Sequence, residues 1–306
     1  MRDFVDVEGS GRDVTFILSN TFAALTNATV RVPANVTAQL RNLTVQHNSN
    51  GSGTGVSIAS DFFLLTSVNV ETKNGGQSVG VLTTNCNTVM NDVFARVVSS
   101  TRGTGFSLQG GGPILGASFS FVAQPNDQNI ALQIARDTVA TVDQFFAVAT
   151  LGERNVAVAI GGNSVGDLRN VRGTAVGTSA IGLMISKSAS ADVKESTFKS
   201  LSDSSSIAFL LEDEARAKAT ESTFDADPIA IDHLNVFAVR LTGVANLDSN
   251  QSNYDGTSFA AQNTGSGQAR FGASQLIGSV LGTAATSFRC IFSYNGSYTA
   301  RNAVCV

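Results

Sequence analysis

Apolar and polar residues alternate in short segments that recur along the chain at a nearly constant step. The first apolar column comprises Val30, Val56, Val81, Phe106, Leu132, Val158, Leu183, Phe209 and Phe237. Two positions later stands a second, mostly apolar column: Val32, Ile58, Thr83, Leu108, Ile134, Ile160, Ile185, Leu211 and Val239. Alternation with a period of two predicts a strand with one buried face. Its repetition at a near-fixed period predicts a solenoid.

A third apolar column keeps the same register and supports the solenoid. It follows the first column at a nearly fixed distance and consists of Leu40, Leu65, Met90, Leu115, Val142, Leu168, Val193, Ala219 and Leu247. A small residue precedes most of the segments, which suits a tight corner; these residues are Gly55, Gly80, Gly105, Ala131, Ala157, Gly182 and Ala208. Such a period leaves no room for a helix on every coil. It fits two or three short strands, which we expect to stack in parallel roughly 4.8 Å apart.

Turn-forming residues cluster in the segments that link the third column to the next coil. Among them are Asn48–Gly55, Lys73–Gly80, Ser99–Gly105, Gln124–Asn129, Gly173–Gly182 and Ser200–Ser206. Because equivalent turns of a solenoid stack, we expect these segments on one edge of the rod, where repeat proteins commonly bind their partners.

The repeat resembles that of right-handed parallel β-helix proteins in the pectate-lyase-like superfamily. The resemblance covers residues 28–265 and rests on repeat geometry, since the polygalacturonase-like motifs (Asn-Thr-Asp, Asp-Asp, Gly-His-Gly, Arg-Ile-Lys) are absent. It implies an all-β, right-handed parallel β-helix of about nine to ten coils, each of roughly 25 residues. We divide the chain into an N-terminal cap (1–28), the β-helix (29–269) and a C-terminal cap with a cysteine hairpin (270–306). Polysaccharide lyases and hydrolases, phage tailspikes and surface adhesins share this fold, so fold alone selects no function.

The number and sign of the charged residues limit the kinds of molecule that the protein is expected to bind. Charged residues make up 14% of the 306-residue chain, the formal net charge is −4, and Lys and Arg form no run, which argues against a nucleic-acid partner. No apolar run is long enough to span a membrane. The N-terminal segment also lacks the apolar region of a signal peptide. We expect a mature domain or a virion protein, located outside the cell or on a cell or virion surface.

Two cysteines near the end of the chain predict a disulfide. Cys290 and Cys305 flank an Asn295-Gly296 pair, which is a hairpin turn signal that would bring them together. The alternative is two unpaired buried thiols. The remaining cysteine, Cys86, directly follows a predicted strand and is interpreted as a turn or core thiol.

Charged residues flank the third column on neighbouring coils. They are Asp167, Asp192 and Lys218 before the column residues, and Arg169 and Lys194 after them. Because the column residues point inward, the flanking side chains point outward, with about 5 Å between neighbouring coils. We predict one exposed patch, in which Asp167, Arg169 and Lys218 bind a ligand. The alternative is a solvated ladder whose opposite charges alternate to avoid repulsion.

Glutamates continue this patch into the next turn. Glu195 and Glu221 are one repeat apart and occupy equivalent positions on adjacent coils, where two carboxylates could perform acid–base catalysis or hold a cation. A second acidic group consists of Glu212, Asp213, Glu214, Asp225, Asp227 and Asp232. It is interpreted as solvated turns, with a weak Ca²⁺ site as the alternative, and no other metal or cofactor is expected.

Aromatic residues and histidines complete the candidate chemistry. There are 19 Phe and no Trp, and two adjacent pairs, Phe62-Phe63 and Phe145-Phe146, cannot both point inward on a regular strand. We expect one ring of each pair to be exposed, as an oligomer contact or a glycan surface. The two histidines, His47 and His233, fall in predicted loop stretches and are interpreted as surface residues.

These observations favour a non-catalytic binding or structural module. The hypothesis is an adhesin-like β-helix whose partner is a polysaccharide or cell-surface glycan, with self-association as a further expectation. The alternative is a polysaccharide lyase or glycoside hydrolase centred on Asp192, Lys194, Glu195 and Glu221. An ice- or mineral-binding solenoid would need a flat row of Thr, and the outward positions of the strands show none.

Overall fold

The computed structural model describes residues 6–20, 28–99, 101–123, 127–229, 235–282, 288–295, 297 and 305. Within these residues the protein is a parallel β-solenoid of about ten turns and contains no helix. This confirms the predicted all-β, parallel β-helix. His233 and Asp232 lie outside the described residues.

The strands follow one another with short connections. The first fourteen are β1 (Val7–Glu8), β2 (Phe16–Ser19), β3 (Ala28–Val32), β4 (Ala38–Ser49), β5 (Gly53–Ile58), β6 (Phe63–Asn74), β7 (Ser78–Thr84), β8 (Val89–Ser99), β9 (Gly103–Gln109), β10 (Ile114–Gly116), β11 (Phe119–Ala123), β12 (Gln128–Ala135), β13 (Val139–Asp143) and β14 (Phe146–Thr150). The others are β15 (Arg154–Ile160), β16 (Val165–Arg169), β17 (Arg172–Ile185), β18 (Ser190–Lys194), β19 (Thr197–Leu211), β20 (Arg216–Thr220), β21 (Thr223–Pro228), β22 (Val236–Leu241), β23 (Asn246–Asn250), β24 (Asn253–Asn263), β25 (Gln268–Gly272), β26 (Gln275–Gly282), β27 (Phe288–Ile291) and β28 (Tyr294–Asn295).

Equivalent strands of successive coils form three parallel stacks. The first stack contains β3, β5, β7, β9, β12, β15, β22 and the ends of β17, β19, β24 and β26. The second contains β1, β10, β13, β16, β18, β20, β23, β25, β27 and the starts of β4, β6 and β8. The third contains β2, β11, β14, β21, β28, the ends of β4, β6 and β8, and the starts of β17, β19, β24 and β26.

The inward columns of the three stacks form one continuous apolar core. The predicted interior residues Ile58, Leu108, Ile134, Ile160, Ile185 and Leu211 are all fully buried. The small residue before each segment turns inward at a crowded corner. A Cβ on Gly105, for example, would lie 1.8 Å from Ser120 Oγ, so only glycine fits there.

The bend between the second and third stacks is made by a column of left-handed residues. Their φ angles lie between 32° and 56° in Asn42, Ser67, Asp92, Ala117, Gln144, Asn170, Glu195, Glu221, Gln251, Ala273 and Phe292. Residues other than glycine adopt this conformation at a cost, so the surrounding structure must hold it. Hydrogen bonds to the next coil do so, as from Gln144 N to Arg169 O (3.1 Å) and from Asn170 N to Lys194 O (3.1 Å).

Inside this bend, a ladder of buried serines runs through the C-terminal coils. Its members are Ser196, Ser222, Ser252, Ser274 and Ser293. Each of the first three donates its backbone N–H to the Oγ of the next serine along the rod at 3.3 Å. The ladder thus satisfies backbone donors that the bend turns away from the regular strand pairing.

Aromatic rings stack along the core of the same coils. Phe224 lies between Phe198 (5.8 Å between ring centroids) and Tyr254 (5.1 Å), and Phe209 lies against it at 4.7 Å, with the ring planes nearly parallel. The Tyr254 hydroxyl donates to Ser249 Oγ (2.8 Å) and is fully buried, which raises the pKa of Tyr254. Phe198 and Phe224 thus stack on adjacent coils inside the core.

The register of the last coils differs from the sequence prediction. Phe209 pairs with Val239, so Val239 and not Phe237 continues the first column. Ala219 likewise pairs with Ser249, and the predicted column residue Leu247 pairs with Ala217. The additional residues of this coil fall between Pro228 and Val236.

Parallel pairing extends beyond residues 29–269 in both directions. Strands β1 and β2 pair with β4, and β27 and β28 pair with β25 and β26. The coils shorten towards the C terminus, since Phe271 is closer in sequence to its partner Cys290 than Val56 is to Val81. Two predicted turns, Gly173–Gly182 and Ser200–Ser206, are instead parts of the long strands β17 and β19, because serine and glycine there accommodate a bent strand with a local register shift.

The cysteine predictions agree with the structure, and one histidine prediction does not. Cys290 and Cys305 form a disulfide with their Cα atoms 5.2 Å apart, whereas the predicted hairpin turn is only partly within the described residues. Cys86 is a free, buried thiol. His47, predicted to lie in a surface loop, is in β4 and fully buried, because its position two places after Val45 continues the inward column.

Candidate functional site

The predicted charged patch lies on the outward side of the second stack. Asp167, Asp192 and Lys218 are in register on β16, β18 and β20. Each of the two aspartates is paired within its own strand, Asp167 with Arg169 (2.7 Å) and Asp192 with Lys194 (2.9 Å). Exposed pairs of this kind contribute at most about 1 kcal/mol, so this part of the patch has the geometry of a solvated ladder.

The two candidate glutamates lie at the left-handed bend that follows the patch. Glu195 and Glu221 are both exposed, and no described residue forms a hydrogen bond or ion pair with either carboxylate. Their backbones are held to the next coil, as Glu195 N donates to Thr220 O at 3.1 Å. The structure thus brings the predicted pair to equivalent positions on adjacent coils.

An outward column of phenylalanines begins just beyond the bend, on the third stack. Phe94, Phe119 and Phe146 are in register, with ring centroids 5.1 Å and 6.5 Å apart. The guanidinium of Arg172 lies 5.5 Å from the Phe146 centroid and extends the column by a cation–π contact. We call Phe94, Phe119 and Phe146 the aromatic column. Phe146 is 43% exposed whereas Phe145 is buried, as predicted for this pair, and Phe62 and Phe63 divide in the same way.

A depression of about 360 Å³ lies beside the exposed end of the aromatic column. It is lined by Gln144, Phe146, Asn170, Arg172 and Glu195, and we call it the Phe146 depression. Asn170 donates from Nδ2 to Asp143 Oδ1 (3.0 Å), which fixes one wall. An apolar ring, two amides and both signs of charge therefore converge on one small surface.

A second depression, of about 330 Å³, lies further along the outward side of the second stack. Its charged and amide residues are Arg216, Lys218, Asn246, Asp248, Gln268 and Arg270, and we call it the cationic depression. All six side chains are exposed. Lys218 is the one member that the sequence singled out, because the predicted register placed Leu247 where Ser249 lies and the predicted β-helix ended before Arg270.

The acidic residues of 212–227 divide between two sides of the coil. Asp213 accepts the Lys187 N–H (3.2 Å) and Glu214 accepts the Ser188 hydroxyl (3.1 Å) in the turn before β20. On β21, Asp225 and Asp227 both form ion pairs with Lys199. The hydrogen bond to Asp225, followed by the one to Asp227, raises the pKa of Lys199. Across the described ranges no group of His, Cys, Asp or Glu is placed to hold a metal ion.

Comparison with known proteins supplies no relative. No family profile, curated protein or solved structure matches the chain. In the part of the chain that the structure describes, no helix is long and apolar enough to cross a membrane. The side chains on the outer surface of the solenoid are therefore the basis for assigning a function.

Proposed function

We propose that the protein is a non-catalytic β-helix of the pectate-lyase-like type that binds a polysaccharide or cell-surface glycan. The observation that supports this proposal is the aromatic column with the Phe146 depression at its end. We further propose that the protein acts outside the cell or on a cell or virion surface. The disulfide supports that location, since such bonds persist in oxidising compartments.

The chemistry of the Phe146 depression suits a sugar. The exposed face of Phe146 offers an apolar platform for the C–H face of a pyranose ring. Gln144 and Asn170 can each donate and accept hydrogen bonds to hydroxyl groups, and Arg172 and Glu195 add a charged donor and a charged acceptor. Apolar surface with a few convergent polar groups is typical of small-molecule sites.

Self-association is part of the proposal and has a separate surface. The outward side of the second stack exposes Leu64 (44%), Val89 (37%) and Ile114 (46%), which are in register on the N-terminal coils. Exposed apolar residues grouped on one sheet are typical of protein contacts. Sedimentation of the protein over a range of concentrations tests this part of the proposal.

The proposal is tested by glycan binding to the intact chain. A glycan array identifies a ligand, and titration calorimetry then compares Phe146→Ala with Phe62→Ala. We expect Phe146→Ala to weaken binding about tenfold, which corresponds to about 1.4 kcal/mol of lost stacking. Phe62→Ala removes an exposed ring away from the depression and should leave affinity unchanged. Equal affinities of the two variants, or no glycan bound at all, would contradict the proposal.

The alternative function is a polysaccharide lyase or hydrolase centred on Asp192, Lys194, Glu195 and Glu221. Glu195 favours it, because this unpaired carboxylate lines the Phe146 depression. We expect no cleavage of acidic or neutral polysaccharides by the unmodified protein, since Lys194 is paired with Asp192 as in a solvated ladder. New reducing ends or unsaturated uronates that disappear in Lys194→Ala or Glu195→Gln, with unchanged melting temperatures, would establish the enzyme.

A further inference from the structure

Cationic side chains on the outward side of the second stack are paired with carboxylates on some coils and unpaired on the coils that follow. On β16 and β18, Arg169 and Lys194 are each neutralised by an aspartate of the same strand. On the following coils Arg216, Lys218 and Arg270 form no ion pair with any described residue. The outward charges are therefore neutralised in pairs on β16 and β18, whereas the coils that follow carry an excess of positive charge.

These unpaired cations surround the cationic depression. Lys218, Asp248 and Arg270 are in register on three successive coils, and Arg216 stands two positions before Lys218 on the same outward side. The floor between them is low because Ala191, Ala217 and Leu247 point inward and leave the outer surface to the long charged side chains. Three cations therefore face one carboxylate within about 330 Å³, on a chain whose formal net charge is −4.

This arrangement suits oxyanions. Arg guanidinium groups bind carboxylates and sulfates through two parallel hydrogen bonds, and Lys provides a mobile point charge. Asn246 and Gln268 continue the column of Arg216 beside Asp248 and Arg270, and their side-chain amides add neutral N–H donors to the depression. Because Lys218 and Arg270 are two coils apart, roughly 10 Å along the rod, they can engage successive groups of an extended polymer and not only one small ion.

We propose that the cationic depression binds an anionic polysaccharide, one whose sugars carry sulfate or carboxylate groups, aligned along the rod axis. This inference rests on the proposed glycan-binding function and adds a second contact surface, on a different stack from the Phe146 depression. Asp248 lies between the cations and limits the affinity, since it repels the ligand.

The test uses three polymers with one backbone: dextran sulfate, carboxymethyl dextran and unmodified dextran. The full chain and its variants are titrated with each polymer by calorimetry or biolayer interferometry. The double variant Lys218→Gln/Arg270→Gln should bind the charged dextrans about tenfold more weakly, because it loses two charge-assisted contacts. Asp248→Asn should bind them more tightly, which damage to the fold would not produce. Lys73→Gln, which removes an exposed cation elsewhere on the rod, should match the unmodified protein.

Each outcome decides the proposal. Stronger binding of one charged dextran identifies the anionic group, and unmodified dextran should not bind at this surface. Equal loss in Lys73→Gln, no gain in Asp248→Asn, or equally tight binding of inorganic polyphosphate would overturn the assignment to an anionic polysaccharide. The Phe146→Ala experiment uses its own glycan and its own surface, so either proposal can fail while the other stands.

Discussion

Substitution of Phe224 tests whether the aromatic stack holds the C-terminal coils together. This ring is fully buried, and its centroid lies 5.8 Å, 4.7 Å and 5.1 Å from those of Phe198, Phe209 and Tyr254. Phe224→Ala removes the side chain and leaves a cavity between three rings that the β-sheet backbone on either side cannot close. Phe224→Leu keeps most of the apolar volume and removes only the stacking.

The expected loss follows from this environment. Burial and cavity terms for Phe→Ala in a core amount to about 3–5 kcal/mol, and the three ring contacts favour the upper half of that range. Phe224→Leu should cost about 1–2 kcal/mol, since each aromatic pair contributes about 0.5–1.5 kcal/mol beyond its buried area and leucine recovers part of the packing. Urea unfolding measures both. Because the chain contains no Trp, tyrosine emission can be followed without Trp background, and Tyr254 is one of its three tyrosines.

The matched control is Phe62→Ala, the same chemical change at a ring that is 60% exposed. Surface substitutions usually change stability by about 0.5 kcal/mol or less. If Phe224→Ala lowers the free energy of unfolding by less than about 1 kcal/mol, or no more than Phe62→Ala, the stack is not a source of stability. Phe224→Leu as costly as Phe224→Ala would instead show that ring stacking outweighs filled volume.

Three further predictions concern the core, pH and the disulfide. Ile160→Asp should unfold the middle of the rod, because an unpaired buried carboxylate costs several kcal/mol; circular dichroism that keeps its native strand signal would contradict this. Burial lowers the pKa of His47 from its ordinary 6.5, so the unfolded chain takes up a proton that the folded chain resists. Stability is therefore retained above pH 6.5 and should fall below it, as measured by urea midpoints, and His47→Gln should flatten this dependence. Cys290 and Cys305 should be bonded in protein from an oxidising compartment, with a mass about 2 Da below the reduced form, and Cys290→Ala should cost about 3 kcal/mol.

The sequence was sufficient to predict the solenoid because each inward column is read with a period of two and repeated with nearly constant spacing. From Val30 to Phe209 every predicted member of the first column pairs with its neighbour as expected. Packing of equivalent residues on adjacent coils imposes this regularity, since a shift of one residue would turn the whole strand inside out.

The candidate site was only partly predictable, because the sequence did not reveal how the C-terminal strands pair with their neighbours. The coil that follows Phe209 is longer than the others. The nearly constant spacing therefore predicted Phe237 as the next member of the first column, whereas Phe209 pairs with Val239, two positions later. The shift is even, so inward residues still appeared inward and nothing in the apolar pattern signalled the error. The alignment of Lys218 with Asp248 and Arg270 was thereby lost, and with it the cationic depression.

Local backbone geometry accounts for the other residues that sequence reasoning did not find. Gln144 and Asn170 line the Phe146 depression because the left-handed bend turns them outward beside the next strand. Asn is common in the left-handed conformation, whereas Gln, Glu and Phe are not. The residue types at the bend therefore do not reveal its position in the sequence. His47 was misplaced because a polar residue at an inward position looks like the start of a loop.

The shortening of the coils towards the C terminus bears on how copies of the protein can meet. A solenoid end exposes unpaired strand edges, which are templates for adding another chain. The coil from Phe271 to Cys290 contains fewer residues than the coil from Phe16 to Thr44 at the other end of the described solenoid, so the strand edges of the two do not match in register. The taper therefore acts against head-to-tail polymerisation into fibres and leaves the sides of the rod, with their aromatic and charged columns, as the surfaces for association.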